Sequence, residues 1–159
     1  MWRSEHSAET TASPAAVWRL LADADGWPSW HPGPSEAHLD GPCQTATTGW
    51  LKVRGGPMKG AVRKFTLLDV EEEVSLVYGD RDAVLGACQR FLHYITPLGE
   101  GRTRVTLGHT IEGPTSLLFG NLFGRIIRGY LPTASRQLIA SAERRATGST
   151  TAPGHDVAP

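Results

Sequence analysis

The chain has 159 residues, 16 basic and 16 acidic, and therefore no net charge when histidine is neutral. That length supports one hydrophobic core, and no internal segment resembles a linker between domains. A neutral chain lacks the basic surface that attracts phosphate backbones, so nucleic acid is not an expected partner. Cys43 and Cys88 are too few and too far apart to indicate a disulfide framework or a metal knuckle.

The N-terminal residues contain no basic segment followed by an apolar run, which a secretory signal requires. The most apolar stretch, residues 117–131, is interrupted by Arg125 and Arg128 and is too short to cross a bilayer. We therefore expect a soluble cytoplasmic protein without a transmembrane segment.

The chain begins with a pattern that predicts a strand and then a helix. Residues 3–11 alternate weakly and are rich in Thr, which favours a strand. Ser13 can cap a helix, and Pro14 suits its first position because the missing N–H costs nothing there. Gly26 and Pro28 end this helix, and residues 27–34 then form a turn or a broken helix.

The middle of the chain has the pattern of an antiparallel sheet. From about residue 36 to residue 109, apolar runs alternate with turn-forming residues, which predicts about five or six strands. The breaks fall at residues 40–42, 55–57, 71–73, 79–82 and 99–101.

The last long segment predicts a helix over residues 114–146. Its apolar side chains recur at helical spacing, namely Leu118, Leu122, Ile126, Leu131, Leu138 and Ala142. Pro132 should kink or interrupt this helix, and Gly120, Gly124 and Gly129 leave room for a cavity beside it. Residues 147–159 have little to bury and are expected to form a disordered tail. A strand, a helix, a run of strands and a long final helix together indicate an α+β domain.

Several segments resemble members of the START/Bet v 1-like (SRPBCC) superfamily, in particular its bacterial polyketide cyclase/dehydrase and lipid-transport branch. No single segment is a catalytic signature, and the resemblance depends on their order and spacing over nearly the whole chain. The segments are ASPAAVWRLLADADGWPSWHPG (12–33), GWLKVRGGP (49–57), FTLLDVEEEVSLVYG (65–79), ITPLGEGRTRVT (95–106) and LFGRIIRGYLPTASRQLIASAE (122–143).

The resemblance implies a helix-grip domain over residues 1–146, in which a curved antiparallel sheet of about seven strands wraps around the C-terminal helix and encloses a ligand cavity. Relatives include carriers, receptors, lipid-binding proteins and aromatase/cyclases, so the fold does not fix one chemistry. The leading hypothesis is a protein that binds a small hydrophobic or aromatic molecule and acts on it as a polyketide-type cyclase or dehydratase. One alternative is a noncatalytic carrier of an apolar metabolite or lipid. Another is a helper domain that docks through Trp2 or residues 117–123, with a protein partner that the sequence does not identify.

Candidate ligand contacts follow from strand parity and helix spacing. Arg63 shares parity with Phe65 and Leu67, so it faces the cavity unless a bulge turns it outward. If it faces inward, the guanidinium must find a carboxylate, solvent or an anionic group of the ligand. The predicted ligand-binding residues are Arg63, Phe65, Leu67, Tyr78, Phe91, Leu107, Leu118, Leu122 and Ile126.

His93 and His109 are the candidate catalytic residues. His93 alternates with Phe91 and Ile95, His109 alternates with Leu107, and the turn at residues 99–101 joins the two strands as a hairpin. If Ile95 pairs with Val105, the two histidines become diagonal neighbours on the inner face, where they could exchange a proton with a bound ketone or enol. The alternative is a pair of core histidines bonded to backbone carbonyls or neighbouring side chains.

No cofactor or metal is expected. The chain has no phosphate-cradling Gly-rich loop and no HExxH spacing, and a metal site at the two histidines lacks an evident third ligand. His31, between Trp30 and Pro32, is interpreted as a histidine at the cavity mouth or the surface.

Overall fold

The computed structural model describes residues 1–83 and 85–148. The strands are β1 (Trp2–Thr10), β2 (Pro34–Leu39), β3 (Thr48–Val53), β4 (Val62–Glu71), β5 (Ser75–Asp80), β6 (Cys88–Gly99) and β7 (Arg102–Glu112). The α-helices are α1 (Pro14–Ala22) and α2 (Ser116–Gly148), and short 3-10 helices cover Ala24–Ser29 and Gly56–Met58.

The strands form one antiparallel sheet in the order β1-β7-β6-β5-β4-β3-β2. The opening strand therefore pairs with the last strand, while β2 forms the opposite edge. Helix α2 packs against β1, β7 and α1. This arrangement confirms the predicted α+β helix-grip fold.

The β6–β7 hairpin has the register that the side-chain parity predicted. Ile95 pairs with Val105 and Phe91 pairs with His109. Residues 99–101 all have positive φ angles, of 79°, 54° and 70°. Two of these three residues, Gly99 and Gly101, are glycines, which adopt such angles without steric cost. The turn fixes the register, and the register places the two histidines on one face.

Helix α1 begins as the sequence predicted. The Ala16 N–H donates to Ser13 Oγ at 3.1 Å, and Pro14 occupies the first turn. Val17 and Leu21 are fully buried. The helix ends at Ala22. The 3-10 helix Ala24–Ser29 follows and includes the start of the segment that the sequence predicted as a turn or broken helix.

Helix α2 continues through Pro132, so the predicted interruption does not occur. An interior proline costs about 3 kcal/mol of helix stability. Leu131 and Ala134, on either side of it, are both buried and hold the two halves of the helix against the protein. The helix ends two residues past the predicted boundary, and residues 149–159 of the predicted tail lie outside the described residues.

The N-terminal half of α2 buries a different face from the predicted one. Leu118, Leu122 and Ile126 are 68%, 65% and 61% exposed, whereas Gly120 and Gly124 are buried. A Cβ atom at Gly120 would lie 2.3 Å from Trp2 Cγ, and one at Gly124 would lie 2.8 Å from Trp2 Cζ2. The helix thus presents its smallest residues to the indole, and this places the larger apolar side chains outward.

Candidate functional site

Two adjoining spaces lie between the sheet and α2. The inner compartment has a volume of about 170 Å³ and the outer compartment about 390 Å³. Both are lined by Gly33, Val53, Arg63 and Tyr130. Arg63 therefore stands where the two compartments meet.

Aromatic side chains from neighbouring strands form the wall of the inner compartment. Phe65 on β4 lies 5.0 Å from Tyr78 on β5, and Tyr78 stacks on Phe91 of β6 at 4.8 Å between ring centroids. Phe91 in turn lies 4.4 Å from the ring of His109 on β7. Strand pairing brings these rings into a continuous row, which gives this wall a largely aromatic lining.

A buried ion pair interrupts this apolar wall. The Arg63 guanidinium donates to Asp80, and the two side chains are 19% and 7% exposed. Of the two orientations that the sequence left open for Arg63, the structure shows the inward one, with a carboxylate as partner. Burial raises the pKa of Asp80, although the charge of Arg63 and the Gln89 N–H oppose this effect.

Gln89 connects this ion pair to His109. In the orientation that satisfies both ends of its amide, the nitrogen donates to His109 Nε2 at 2.9 Å. The oxygen then accepts from Arg63 Nη1 and Nη2 at 2.9 and 3.1 Å. Arg63, Gln89 and His109 therefore form one hydrogen-bonded network at the junction of the two compartments.

His109 is held in its neutral form. Burial, assisted by the charge of Arg63, lowers the pKa of His109 to about 3. Because Gln89 occupies Nε2, the proton of the neutral ring lies on Nδ1, which has no hydrogen-bond partner among the described residues. The lone pair of the neutral ring therefore lies on Nε2, and it becomes available to a ligand only if the Gln89 amide moves away.

His93 has a different environment, although it is the diagonal neighbour that the register predicted. Its Nδ1 lies 3.0 Å from the carbonyl oxygen of Leu76, and its ring stacks on Tyr78. Burial lowers the pKa of His93 to about 4, and the residue lines neither compartment. These contacts are those of a core histidine, the alternative considered from the sequence.

His31 is buried at the opposite wall of the inner compartment. Its Nδ1 accepts from the Gly33 N–H at 2.9 Å, and its ring lies 5.7 Å from Tyr130. Burial, with smaller contributions from His93 and Arg54, lowers the pKa of His31 to about 3. The structure thus places this residue in the cavity wall rather than on the surface.

The outer compartment is enclosed mainly by apolar side chains. Phe119, Phe123 and Ile127 of α2 face the 3-10 helix Gly56–Met58 across it. Met58 and Ile126 also line this compartment but remain largely exposed, so they mark its mouth.

The predicted ligand contacts divide into three groups. Arg63, Phe65, Tyr78 and Phe91 line the inner compartment, as does the candidate catalytic residue His109, and Ile126 lines the outer one. Leu67 and Leu107 are buried but line neither compartment. Leu118 and Leu122 lie on the exposed face of α2, so their predicted contact with a cavity ligand is wrong.

Asp80, Gln89 and Tyr130 belong to the site but were not predicted. Asp80 falls in residues that the sequence indicated as a turn, although it shares parity with Tyr78. Gln89 has the parity of Phe91 and His93, and that alternation is a signal that could have found it. Tyr130 follows Ile126 by one helical turn, so the spacing of Leu118, Leu122 and Ile126 is a signal that could have found it.

Neither metal-binding nor membrane-spanning features occur in residues 1–83 and 85–148. No group of three or more His, Cys, Asp or Glu side chains there could hold a metal ion. No helix in the same residues is long and apolar enough to cross a membrane.

Solved structures with this fold include an aromatase/cyclase. The Zhui aromatase/cyclase of Streptomyces sp. R1128 superposes with a TM-score of 0.71 at 17% identity, covering 91% of this chain and 94% of that one. A START superfamily protein from Mycobacterium smegmatis gives a TM-score of 0.65 at 17% identity, with coverages of 90% and 98%. At such identities the likeness shows the fold alone.

The di-domain aromatase/cyclase BexL gives a TM-score of 0.69 at 13% identity over 87% of this chain. The chain spans about half the length of BexL, 46%. Among curated proteins, none matches the chain. The family model described as "Polyketide cyclase / dehydrase and lipid transport" matches residues 1–147. The chain therefore belongs to the polyketide cyclase/dehydrase and lipid transport family.

Proposed function

We propose that the protein binds a small hydrophobic or aromatic ketone between the sheet and α2 and catalyses its cyclisation or dehydration. The observation that carries this proposal is the network of Arg63, Gln89 and His109, which lies where two largely apolar compartments meet. Catalysis at a carbonyl needs polar groups that converge on one atom of the ligand, whereas a carrier of apolar molecules needs none.

Arg63 has the position and charge to stabilise a ligand oxygen. Its guanidinium lines both compartments, and its side chain is largely withdrawn from water. Negative charge that develops on a carbonyl oxygen during enolisation would be stabilised by this fixed cation, and more strongly than in water. Asp80 and Gln89 act as positioning residues because they hold the guanidinium in place.

His109 is the proposed proton-transfer residue. In the first step, the bond between hydrogen and the carbon next to the ligand carbonyl breaks, and the proton moves to Nε2 while the electron pair forms an enolate held by Arg63. The ligand must displace the Gln89 amide from Nε2 for this transfer. The enolate carbon then attacks a second carbonyl carbon of the same ligand molecule, and this new carbon–carbon bond closes the ring. The resulting oxyanion takes up the proton from Nε2 of His109 and becomes a hydroxyl group. Dehydration then breaks the C–O bond of this hydroxyl and a C–H bond of the neighbouring carbon, which releases water and leaves a carbon–carbon double bond.

Two other roles fit the structure less well. A noncatalytic carrier would not need a cation at the junction of the compartments. A buried charge, paired or not, must be desolvated, and this lowers stability without strengthening the contact with an apolar ligand. A helper domain should have a filled core, but the described residues enclose a cavity. Trp2, one of its suggested docking residues, is 8% exposed. The exposed strip of Leu117, Leu118 and Leu122 is the feature that still favours a docking role.

The proposal is tested by turnover of a synthetic poly-β-ketone thioester, with product identified by mass spectrometry. His109→Gln should abolish cyclised product while ligand affinity and melting temperature remain near those of the original protein. His93→Gln is the matched control in the core. It should lower the melting temperature, whereas turnover per folded molecule should stay unchanged. Binding without turnover in the original protein would favour the carrier, and equal turnover in His109→Gln would remove His109 from the mechanism.

A further inference from the structure

A third space, outside the ligand cavity, is an open groove. One side is formed by the end of the 3-10 helix Ala24–Ser29 and the residues that follow it, and the other side by the C-terminal half of α2. Its volume is about 570 Å³. Arg54, Arg136 and Arg144 line it, and none of its described lining residues is acidic. The groove is therefore a concentrated positive region on a chain whose net charge is zero.

Arg54 is fixed in this groove by neutral acceptors. Its Nε and Nη2 donate to the carbonyl oxygen of Pro34 at 3.1 and 2.9 Å, and Nη2 also donates to the carbonyl oxygen of Pro28 at 2.7 Å. Carbonyl groups orient the guanidinium but do not neutralise its charge. Its position is thus established before any ligand binds, which lowers the entropic cost of binding.

Arg136 and Arg144 lie on α2, about 12 Å apart along the helix axis at a rise of about 1.5 Å per residue. Their side-chain partners are hydroxyl groups: Arg136 donates to Thr133 Oγ1 at 3.3 Å and Arg144 to Ser141 Oγ at 3.1 Å. Among the described residues, neither arginine nor Arg54 forms an ion pair. Three cations therefore face one concave space with their charges uncompensated.

We propose that this groove is a binding site for the phosphate group of a small water-soluble molecule. Guanidinium groups donate in a planar fork that matches the oxygens of phosphate, and several of them around one space favour an anion with more than one negative charge. The groove lies outside the ligand cavity, and the proposal does not depend on the proposed carbonyl chemistry.

A lipid headgroup fits this groove less well than a water-soluble phosphate. Attachment to a membrane surface usually combines basic residues with apolar side chains that enter the bilayer. None of the large exposed apolar side chains of the described residues lines this groove. Those of α2 end at Ile126, about 15 Å before Arg136 along the helix axis.

The groove and the ligand cavity share a thin wall. His31 lines both the groove and the inner compartment, and Pro32 lines both the groove and the outer compartment. The phosphate can therefore belong either to a separate molecule or to the polar end of a molecule whose apolar part occupies the cavity. Experiments with the phosphate alone and with a phosphate on an aromatic ring distinguish these sources.

The test is a titration of the full chain with inorganic pyrophosphate, followed by the backbone amide signals in nuclear magnetic resonance spectra. We expect saturable shifts at Gln137, Ala140 and Ser141. The double substitution Arg136→Gln and Arg144→Gln should weaken this binding about a hundredfold, since each lost charged contact is worth about 1.4 kcal/mol, which is a factor of ten in affinity. Both residues are exposed, so the variant should fold normally.

Arg125→Gln is the matched control. It removes one positive charge, against two in the double variant, from an exposed position of the same helix outside the groove. Its affinity for pyrophosphate should remain within about twofold of the original value, because a distant exposed charge is screened by salt. Absence of saturable shifts in the original protein, or equal losses in the control and the double variant, would overturn the proposal.

Two further ligands identify the source of the phosphate. If 1-naphthyl phosphate competes with pyrophosphate and also shifts the signals of Tyr78 and Phe91 in the inner compartment, the result would support a phosphate attached to a cavity ligand. Binding of pyrophosphate alone would support a separate molecule. Attachment to phosphatidic acid vesicles through Arg136 and Arg144, without any pyrophosphate binding, would overturn the choice of a water-soluble ligand. All of these results are independent of turnover, so failure of the proposed enzyme activity does not affect them.

Discussion

Trp2 and His109 meet edge to face, with ring centroids 6.3 Å apart and an interplanar angle of 83°. The indole of the first strand therefore covers a candidate catalytic side chain of the last strand. Behind the indole, Gly120 and Gly124 leave the space that it fills, and the Arg128 guanidinium lies 5.8 Å from its ring. The pairing of β1 with β7 thus makes the start of the chain part of the wall around His109.

This packing predicts opposite effects for two similar substitutions in α2. Gly120→Ala should destabilise the protein by about 1–2 kcal/mol, because overpacking costs about 1–3 kcal/mol and exceeds the gain of about 1 kcal/mol in helix propensity. Gly129→Ala, which meets nothing within 4 Å, should stabilise it by up to about 1 kcal/mol. Urea unfolding of both variants measures the difference. Equal stabilisation by both would show that Trp2 does not pack against α2.

The ion pair of Arg63 and Asp80 should be costly to break from one side. Asp80→Asn leaves a largely buried guanidinium without its carboxylate, and we expect a loss of about 2–4 kcal/mol. The double substitution Arg63→Met and Asp80→Asn should recover part of this loss because no unpaired charge remains. Glu36→Gln breaks the exposed pair with Lys52 and should cost less than about 1 kcal/mol. If Asp80→Asn costs no more than this control, the pair is solvated.

The buried histidines predict that stability decreases as the pH falls. Burial lowers the pKa of His31 and His109 to about 3 and of His93 to about 4, below the ordinary value of 6.5. Between these lowered pKa values and 6.5, the unfolded chain consequently binds more protons than the folded protein. The contribution of these histidines to the free energy of unfolding is therefore greatest above pH 6.5 and declines toward pH 4.

Chemical denaturation at pH 7.5 and pH 5 measures this decline. In His93→Gln the dependence on pH should be weaker, because one of the three contributing groups has been removed. An unchanged dependence would mean that His93 is accessible to protons in the folded protein.

Removal of the last residues should have little effect. Gly148 ends α2, and Thr147 donates to the carbonyl oxygens of Glu143 and Arg144 at 3.2 and 3.0 Å, so a chain that stops at residue 148 keeps these contacts. Its melting temperature should differ from that of the full chain by less than about 4 °C, which corresponds to about 1 kcal/mol. A larger decrease would show that residues 149–159 contribute to stability.

The β6–β7 hairpin was predictable from sequence because strand parity and a Gly-containing turn specify one register. The period of two residues along a strand then places Phe91, His93 and His109 on one face without further information. The network around His109 was less accessible. Asp80 lies at the end of a strand that the neighbouring Gly and Asp residues indicate as a turn, and Gln89 acquires its role only from the side chains beside it.

The buried face of α2 was the main error. Hydrophobic spacing favours the face with Leu118, Leu122 and Ile126, because large apolar residues are usually buried. Here Trp2 occupies the space beside the helix, and only glycine fits against it. A contact between the two ends of the chain thus decides the orientation, and local periodicity contains no information about it.

Calorimetric titration with 1-tetralone and tetralin tests whether Arg63 binds the oxygen of an aromatic ligand. These two molecules share a shape but only the first has a carbonyl group. The protein should bind the ketone at least about tenfold more tightly than tetralin, as expected for a hydrogen bond to a charged group. In the double variant Arg63→Met and Asp80→Asn this preference should disappear while tetralin still binds. Equal affinities for the two molecules in the original protein, or a preference that survives in the variant, would contradict the account.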